Sequence, residues 1–354
     1  MRGVSIVIKC FNEEHKIDAA IASALAAGQE LAPIPVEVVV ADSRSTDATA
    51  ARAVQWARNL SVRVVQLLDP EQRGCGLGVE LGFMCSVGER VLLMDGDMVV
   101  QPGFIRHAMR YLDQHPRCAG VAGLVSEASL RNGTDRIRVI KGLNRATGAQ
   151  PWLNGGGLYR RAAVLAAGGF AGDTRLAAFE EADLGLRLER QGWSVQRLRE
   201  VSMVHHGHPL PAWKVLAARW KAGRFEAAGR LLKLHGFKPN GWRVWRLMAH
   251  PLLLALVWMA LAASAVVAFT APGPSPMVWL GAGVVGLALI DLGIKRNLPH
   301  ALTSWMDWHL MLLGLVIGVL RPLPDRLLHI GHRVLAEAGH RLDPGPMGAG
   351  RTAP

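Results

Sequence analysis

Arg90–Val100 reads RVLLMDGDMVV, and the fold is decided there. Val91–Met94 is a short apolar run of the kind that forms a strand buried on both faces. It stops at Asp95-Gly96-Asp97, and apolar residues resume at once. Carboxylates at the carboxyl end of a buried strand are costly unless something cationic neutralises them. In open α/β sheets that same end is where ligands sit. Two carboxylates separated by one small residue suit a divalent ion, Mg²⁺ or Mn²⁺, that carries phosphate oxygens. Asp-Gly is equally a strong turn signal, so the stretch alone also fits an acidic hairpin turn. Its neighbours decide between the two.

Upstream, Val4–Lys9 (VSIVIK) and Val36–Ala41 (VEVVVA) have the same buried-strand character, and Val62–Leu67 makes a further strand. Ile17–Ala27, Thr49–Asn59 and Leu77–Val87 between them have helical patterning. This alternation predicts an α/β domain with a mostly parallel sheet and helices on both faces. Three strands end in polar clusters: Asn12-Glu13, Asp42 and Asp95/Asp97. In a parallel sheet these carboxyl ends share one edge, so the clusters converge on a crevice fit for a nucleotide. There Asp42 can accept from a base or a ribose hydroxyl, and Asp97 can hold the metal on a diphosphate. Ser45 or Thr46 also suits a helix N-cap, which is compatible with that role.

VSIVIKCFNEE, VVVADSRSTDAT and RVLLMDGDM together resemble the opening half of family 2 glycosyltransferases with the GT-A fold. The resemblance continues through Asn154–Phe170 (NGGGLYRRAAVLAAGGF) and Phe179–Trp193 (FEEADLGLRLERQGW), and so spans roughly the first 210 residues. It implies a nucleotide-sugar site formed by Asn12, Glu13, Asp42, Asp95, Gly155 and Gly156. It also implies a metal held by Asp95 and Asp97. Independently, Gly155–Gly157 allow close backbone approach to a ligand. Glu180, Glu181 and Asp183 open a helix whose dipole stabilises them.

In the resembling family a carboxylate at this point deprotonates the acceptor hydroxyl. The usual pair there is Glu-Asp, whereas this chain has Glu180-Glu181, which puts Glu181 in the base position with Glu180 available to share the role. Asp183 is expected beside the acceptor. In related enzymes a His near here touches the metal or the diphosphate, so one of His205 and His206 is expected there, with His206 assigned to the metal. Arg219-Trp220 resembles the end of the Q-x-x-R-W motif of processive polysaccharide synthases and is assigned to the acceptor. Leu216 replaces the Gln of that motif, which argues against processivity.

The charge is uneven. Residues 205–250 carry nine lysines and arginines against one acid, Glu226, and so hold a surplus of eight of the chain's net +12. Trp213, Trp220, Trp242 and Trp245 are interleaved with them, directly before a long apolar run. That combination fits the anionic cytoplasmic face of a membrane better than nucleic acid. Pro251–Ala271 is uncharged and long enough to cross a bilayer, and Met277–Ile294 is a second span. Arg243 and Arg246 before the first span, with Lys295 and Arg296 after the second, put both flanks in the cytoplasm. Leu310–Leu320 is shorter and is expected to lie in the interface, with a third span as the alternative.

The domains expected are therefore a catalytic GT-A domain at 1–210 and basic, Trp-rich interfacial helices at 211–250. A membrane region follows at 251–320, then a basic tail at 321–354 with a disordered end. Ser5–Ile8 is too short for a signal-peptide core, so no leader is expected. Cys10, Cys75, Cys85 and Cys118 lack metal-type spacing and suit a reducing compartment.

These features imply a metal-dependent, inverting glycosyltransferase at the inner membrane, its catalytic domain cytoplasmic, with inversion inferred from the resemblance alone. The donor is a nucleotide-diphosphate sugar, and the acceptor is lipid-linked or a saccharide. Three rivals stand beside it. A polyprenyl-phosphate glycosyltransferase needs no base. A sugar nucleotidyltransferase has no use for the Glu180–Arg187 motif. An inactive GT-A scaffold has no use for Asp42, Asp95, Asp97 and Glu181.

Overall fold

The computed structural model describes residues 3–57, 61–69, 74–128, 146–174, 176–207, 210–270, 278, 281–286, 293, 297–323, 325 and 329–337. They form two compact units. One takes the described residues up to Ala128, those from 146 to 207 and those from Asp325 onward; the other takes residues 210–323.

In the first unit ten strands make one sheet: β1 (Val4–Cys10), β2 (Val36–Asp42), β3 (Val62–Leu67), β4 (Arg90–Asp95), β5 (Met98–Val100), β6 (Cys118–Glu127), β7 (Gly148–Gln150), β8 (Gly157–Arg160), β9 (Ser194–His205) and β10 (His332–Glu337). Their order is β10-β3-β2-β1-β4-β8-β6-β9-β5, with β7 beside β9. The expected parallel arrangement holds for β3-β2-β1-β4. Beyond β4 the sheet is mixed: β8 joins antiparallel to β4 and β6, whereas β6 and β9 run parallel.

Side-chain alternation along the strands supplies two cores. Val4, Ile6 and Ile8 of β1, with Leu92 and Met94 of β4, pack under α1 (Ile17–Gln29), α2 (Thr49–Trp56) and α4 (Phe104–Gln114). Val7, Val91 and Leu93 point to the opposite face, against α3 (Cys75–Met84), α5 (Arg161–Ala166) and α6 (Glu180–Arg190). Period-two alternation of apolar residues on both faces is what a doubly covered sheet requires. No disulfide forms among the described residues.

Within the basic tail expected at 321–354, His332–Glu337 forms an edge strand, antiparallel to β3, with Ile330 buried just before it. The alternating HRVLAE pattern can place Leu335 against the core, but nothing local reveals its partner. The last dozen residues lie outside the described set.

The second unit is helical: α7 (Ala212–Lys221), α8 (Glu226–His235), α9 (Trp242–Leu247), α10 (Ala249–Thr270) and α11 (Leu298–Leu320). Within α10 and α11, Ala249–Val267 and Ala301–Leu320 are long and apolar enough to cross a membrane. The apolar run Leu310–Leu320 is thus the end of a 23-residue helix, because Asp307 and His309 lie within the helix and do not interrupt it. Trp258 Nε1 donates to His309 Nε2 at 3.2 Å and joins the two helices. Gly318 lets α8 and α11 meet backbone to backbone, since a Cβ there would collide with the Glu226 carbonyl oxygen. Arg321 Nη1 closes the same junction at 2.9 Å from Glu226 Oε1. The expected span Met277–Ile294 lies mostly outside the described residues.

Candidate active site

Strand register brings the acidic clusters together. Lys9 pairs with Asp95 across β1 and β4, and Cys10 pairs with Asp42 across β1 and β2. The carboxyl ends of three adjacent parallel strands therefore lie level, where α/β sheets bind ligands.

Asp95 is the exposed member of its pair, its side chain 41% accessible. It lines a cavity with Lys9, Leu93, Leu153, Gly156 and Glu181. Gly156 has φ +87°, and a Cβ there would run into the Leu93 carbonyl oxygen, so glycine alone keeps this wall close to β4. Lys9 Nζ lies 2.7 Å from Glu180 Oε1 and 3.2 Å from Asp95 Oδ1. Glu180 is buried and tied to that lysine, whereas Glu181, the next residue on α6, faces the cavity. Burial and then the Glu180 charge push the Glu181 carboxyl up to about 8, with Lys9 opposing the shift.

Asp97 is buried and sits in a separate cluster. His205 Nε2 is 3.2 Å from Asp97 Oδ2, and His205 Nδ1 is 2.6 Å from Glu127 Oε2. Lys16 Nζ approaches Asp97 Oδ2 at 3.8 Å and Glu13 Oε2 at 2.7 Å. Burial and the Asp97 charge raise the Glu13 carboxyl to about 7. Of the two histidines expected near the metal, with His206 assigned to it, it is His205 whose ring faces Asp97. Register pairs Met98 with His205, and alternation leaves His206 exposed with only its backbone N–H donating to the Asp97 carbonyl at 2.8 Å.

Asp183, Asn12 and Asp42 are each engaged by partners within the protein. Asp183 is 1% exposed, and its carboxylate receives Arg187 at 2.8 Å. Arg187 also donates to the carbonyls of Ala167, Gly169 and Phe170, so this pair braces the loop before α6. Asn12, at φ +57°, accepts from the Thr46 N–H at 2.8 Å and holds the two loops together. Asp42 is fully buried and organises its own loop: its carboxylate accepts the Ser45 N–H at 3.0 Å and the Gln66 amide at 2.6 Å. Arg219 and Trp220 lie on α7, in the second unit.

Lys9, Lys16 and Glu127 are the residues at the site that the sequence did not single out. A lysine inside the apolar run VSIVIK was the one available signal. Two aspartates and an imidazole are donors of the type Mg²⁺ and Mn²⁺ accept, so the residues suit such an ion in kind. Among the described residues, no three His, Cys, Asp or Glu side chains are gathered into a coordination shell.

A family model described as glycosyl transferase family 2 matches residues 5–162, and one described as glycosyl transferase family group 2 matches residues 90–320. An undecaprenyl-phosphate 4-deoxy-4-formamido-L-arabinose transferase of Pectobacterium carotovorum is 25% identical over 148 residues, 42% of this chain and 45% of that protein. An uncharacterised protein of Mycobacterium tuberculosis (Rv1520) is 34% identical over 118 residues, 32% of each chain. The chain thus spans less than half the length of the curated relatives it matches. Among solved structures, the mannosyltransferase PcManGT of Pyrobaculum calidifontis, in complex with GDP-Man and Mn²⁺, superposes with a TM-score of 0.60. It is 20% identical and covers 90% of this chain and 87% of that one, a likeness of fold.

Proposed function

The chain belongs to glycosyl transferase family 2, and on that premise we propose that it moves a sugar from a nucleotide-diphosphate donor to a hydroxyl of a lipid-linked or saccharide acceptor, with inversion, at the cytoplasmic face of the inner membrane. The observation that carries this is the placement of Glu181 on the cavity that Asp95 also lines. A base must lie within reach of the acceptor proton and beside the donor. Its raised proton affinity suits it to take that proton near neutral pH.

Asp95, Asp97 and His205 are the residues that would hold Mg²⁺ or Mn²⁺, which when bound supplies charge stabilisation to the departing diphosphate. Lys9 keeps Glu180 and Asp95 fixed, so that Glu181 alone is presented to the acceptor. The Gly155-Gly156 turn, with both residues at positive φ, lets the backbone pass close to β4 at this wall of the cavity. The apolar helices α10 and α11 and the basic, Trp-rich helices before them support attachment to a membrane.

A second reading has its own support. The Pectobacterium relative is named for an undecaprenyl-phosphate acceptor, and a phosphate acceptor needs no base. Radiolabelled nucleotide sugars presented to membranes holding this chain, followed by organic–aqueous partition, test the proposal. Label should move from one donor into an extractable lipid or a polymer. Absence of transfer from every donor would overturn it.

A further inference from the structure

Asp42 is connected through the sheet to the strand that follows the last apolar helix. Arg333 of β10 pairs in register with Gln66 of β3. Its Nε and Nη2 donate to Gln66 Oε1 at 3.1 and 2.6 Å. The other end of the same amide, Nε2, donates to Asp42 Oδ2 at 2.6 Å. An amide presents either its oxygen or its nitrogen to a neighbour, and the two orientations are close in energy when nothing selects between them. Here the guanidinium takes the oxygen, which turns the donor toward the carboxylate. Reversal would set an amide oxygen against the buried Asp42 carboxylate, a repulsive contact.

A second connection reaches the same loop. Arg44 Nη1 donates to the Leu68 carbonyl at 3.3 Å, and the Leu68 N–H donates to the Gly331 carbonyl at 3.0 Å. The loop after β2 is thus tied twice to the end of the chain, through Asp42 to Arg333 of β10 and through Arg44 and Leu68 to Gly331 just before it. β10 itself is fixed elsewhere as well: Arg63 Nη2 lies 2.5 Å from Glu337 Oε1, and Ile330 is buried in the core.

We infer that Arg333 is a positioning residue for the donor nucleotide: through Gln66 it sets the orientation of Asp42 and of the loop against which the nucleotide docks. The inference rests on the proposed nucleotide-sugar site. It makes the segment after the apolar helices part of the donor site.

The test is calorimetric titration of the purified full-length chain with UDP, GDP, CDP and dTDP in turn, alongside steady-state kinetics with the donor. Arg333→Met should weaken binding of the preferred nucleotide about tenfold or more, the scale of one lost charge-assisted hydrogen bond. KM for the donor should rise while kcat at saturation holds. Gln66→Leu should do the same, and the double variant should be no worse than either single one. Arg333→Lys, which keeps a donor to Gln66, should recover part of the affinity. Glu337→Gln loosens the strand without touching Gln66 and should leave nucleotide affinity unchanged. Wild-type affinity in both Arg333→Met and Gln66→Leu would overturn the inference. So would equal weakening by Glu337→Gln, which would reduce β10 to a general brace. If the wild-type chain binds none of the four nucleotides, the proposed donor site falls and the inference with it.

Discussion

Lys9 Nζ sits 2.7 Å from Glu180 Oε1, an ion pair between residues 171 apart that separates the roles of two adjacent glutamates. Glu180 is held against the sheet, and Glu181 is left on the cavity. Glu180→Gln should therefore weaken folding without removing the base. The expected cost is about 1–3 kcal/mol, that of a hydrogen bond to a charged group. A melting midpoint in detergent reports the loss, and turnover should stay within severalfold of wild type. Abolished turnover would move the base to Glu180.

The same geometry sets a pH dependence. Burial first, and the Glu180 charge second, raise the Glu181 carboxyl to about 8. A base works only when ionised, so kcat/KM should rise with pH through that value and level off above it. Glu180→Gln removes one cause of the shift and should move the rise to lower pH. For stability the sign is opposite. The native state keeps a proton that the unfolded chain releases near its ordinary value of 4.5, so stability falls as pH climbs from there to about 8. A pH–rate profile flat between 6 and 9 would contradict this assignment.

Asp97 lies within ion-pair reach of His205 and Lys16. Asp97→Asn keeps the size and removes the charge a hard cation requires. Transfer should fall by orders of magnitude, and Mn²⁺ binding, read by electron paramagnetic resonance, should be lost. Full activity of the wild type in excess chelator would end the metal-dependent reading.

Much of this was legible in the sequence because it is local. Apolar runs ending in acids reveal strands and their ligand edge, and alternation reveals two covered faces. The remainder depends on pairings distant in the chain. His205 rather than His206 faces Asp97 because β9 pairs with β5 in one register, and a shift of one residue would exchange them. Glu127 stands at the end of β6 with no motif around it, and its histidine is 78 residues away. Arg333 meets Gln66 across 267 residues. Asp183 was assigned to the acceptor from the resemblance, and its pairing with Arg187, four residues on, is local to the helix.

β10 also constrains topology. It belongs to the same sheet as β9, so β9 and β10 lie on one side of any membrane, whatever the chain between them does. A reporter fused after Pro354 that fluoresces only in the cytoplasm should be bright. A dark fusion, with an active periplasmic phosphatase fusion at the same point, would contradict that placement.

If Glu181 activates the acceptor hydroxyl, Glu181→Ala removes the base and leaves the donor site intact. The measurement is the rate of label transfer from the preferred nucleotide sugar in proteoliposomes, at saturating donor, with nucleotide affinity determined on the same preparation. Wild-type affinity is expected, with a transfer rate lower by roughly 10²–10⁴, the contribution of a positioned general base. Transfer by Glu181→Ala at the wild-type rate would contradict that role and favour a phosphate acceptor.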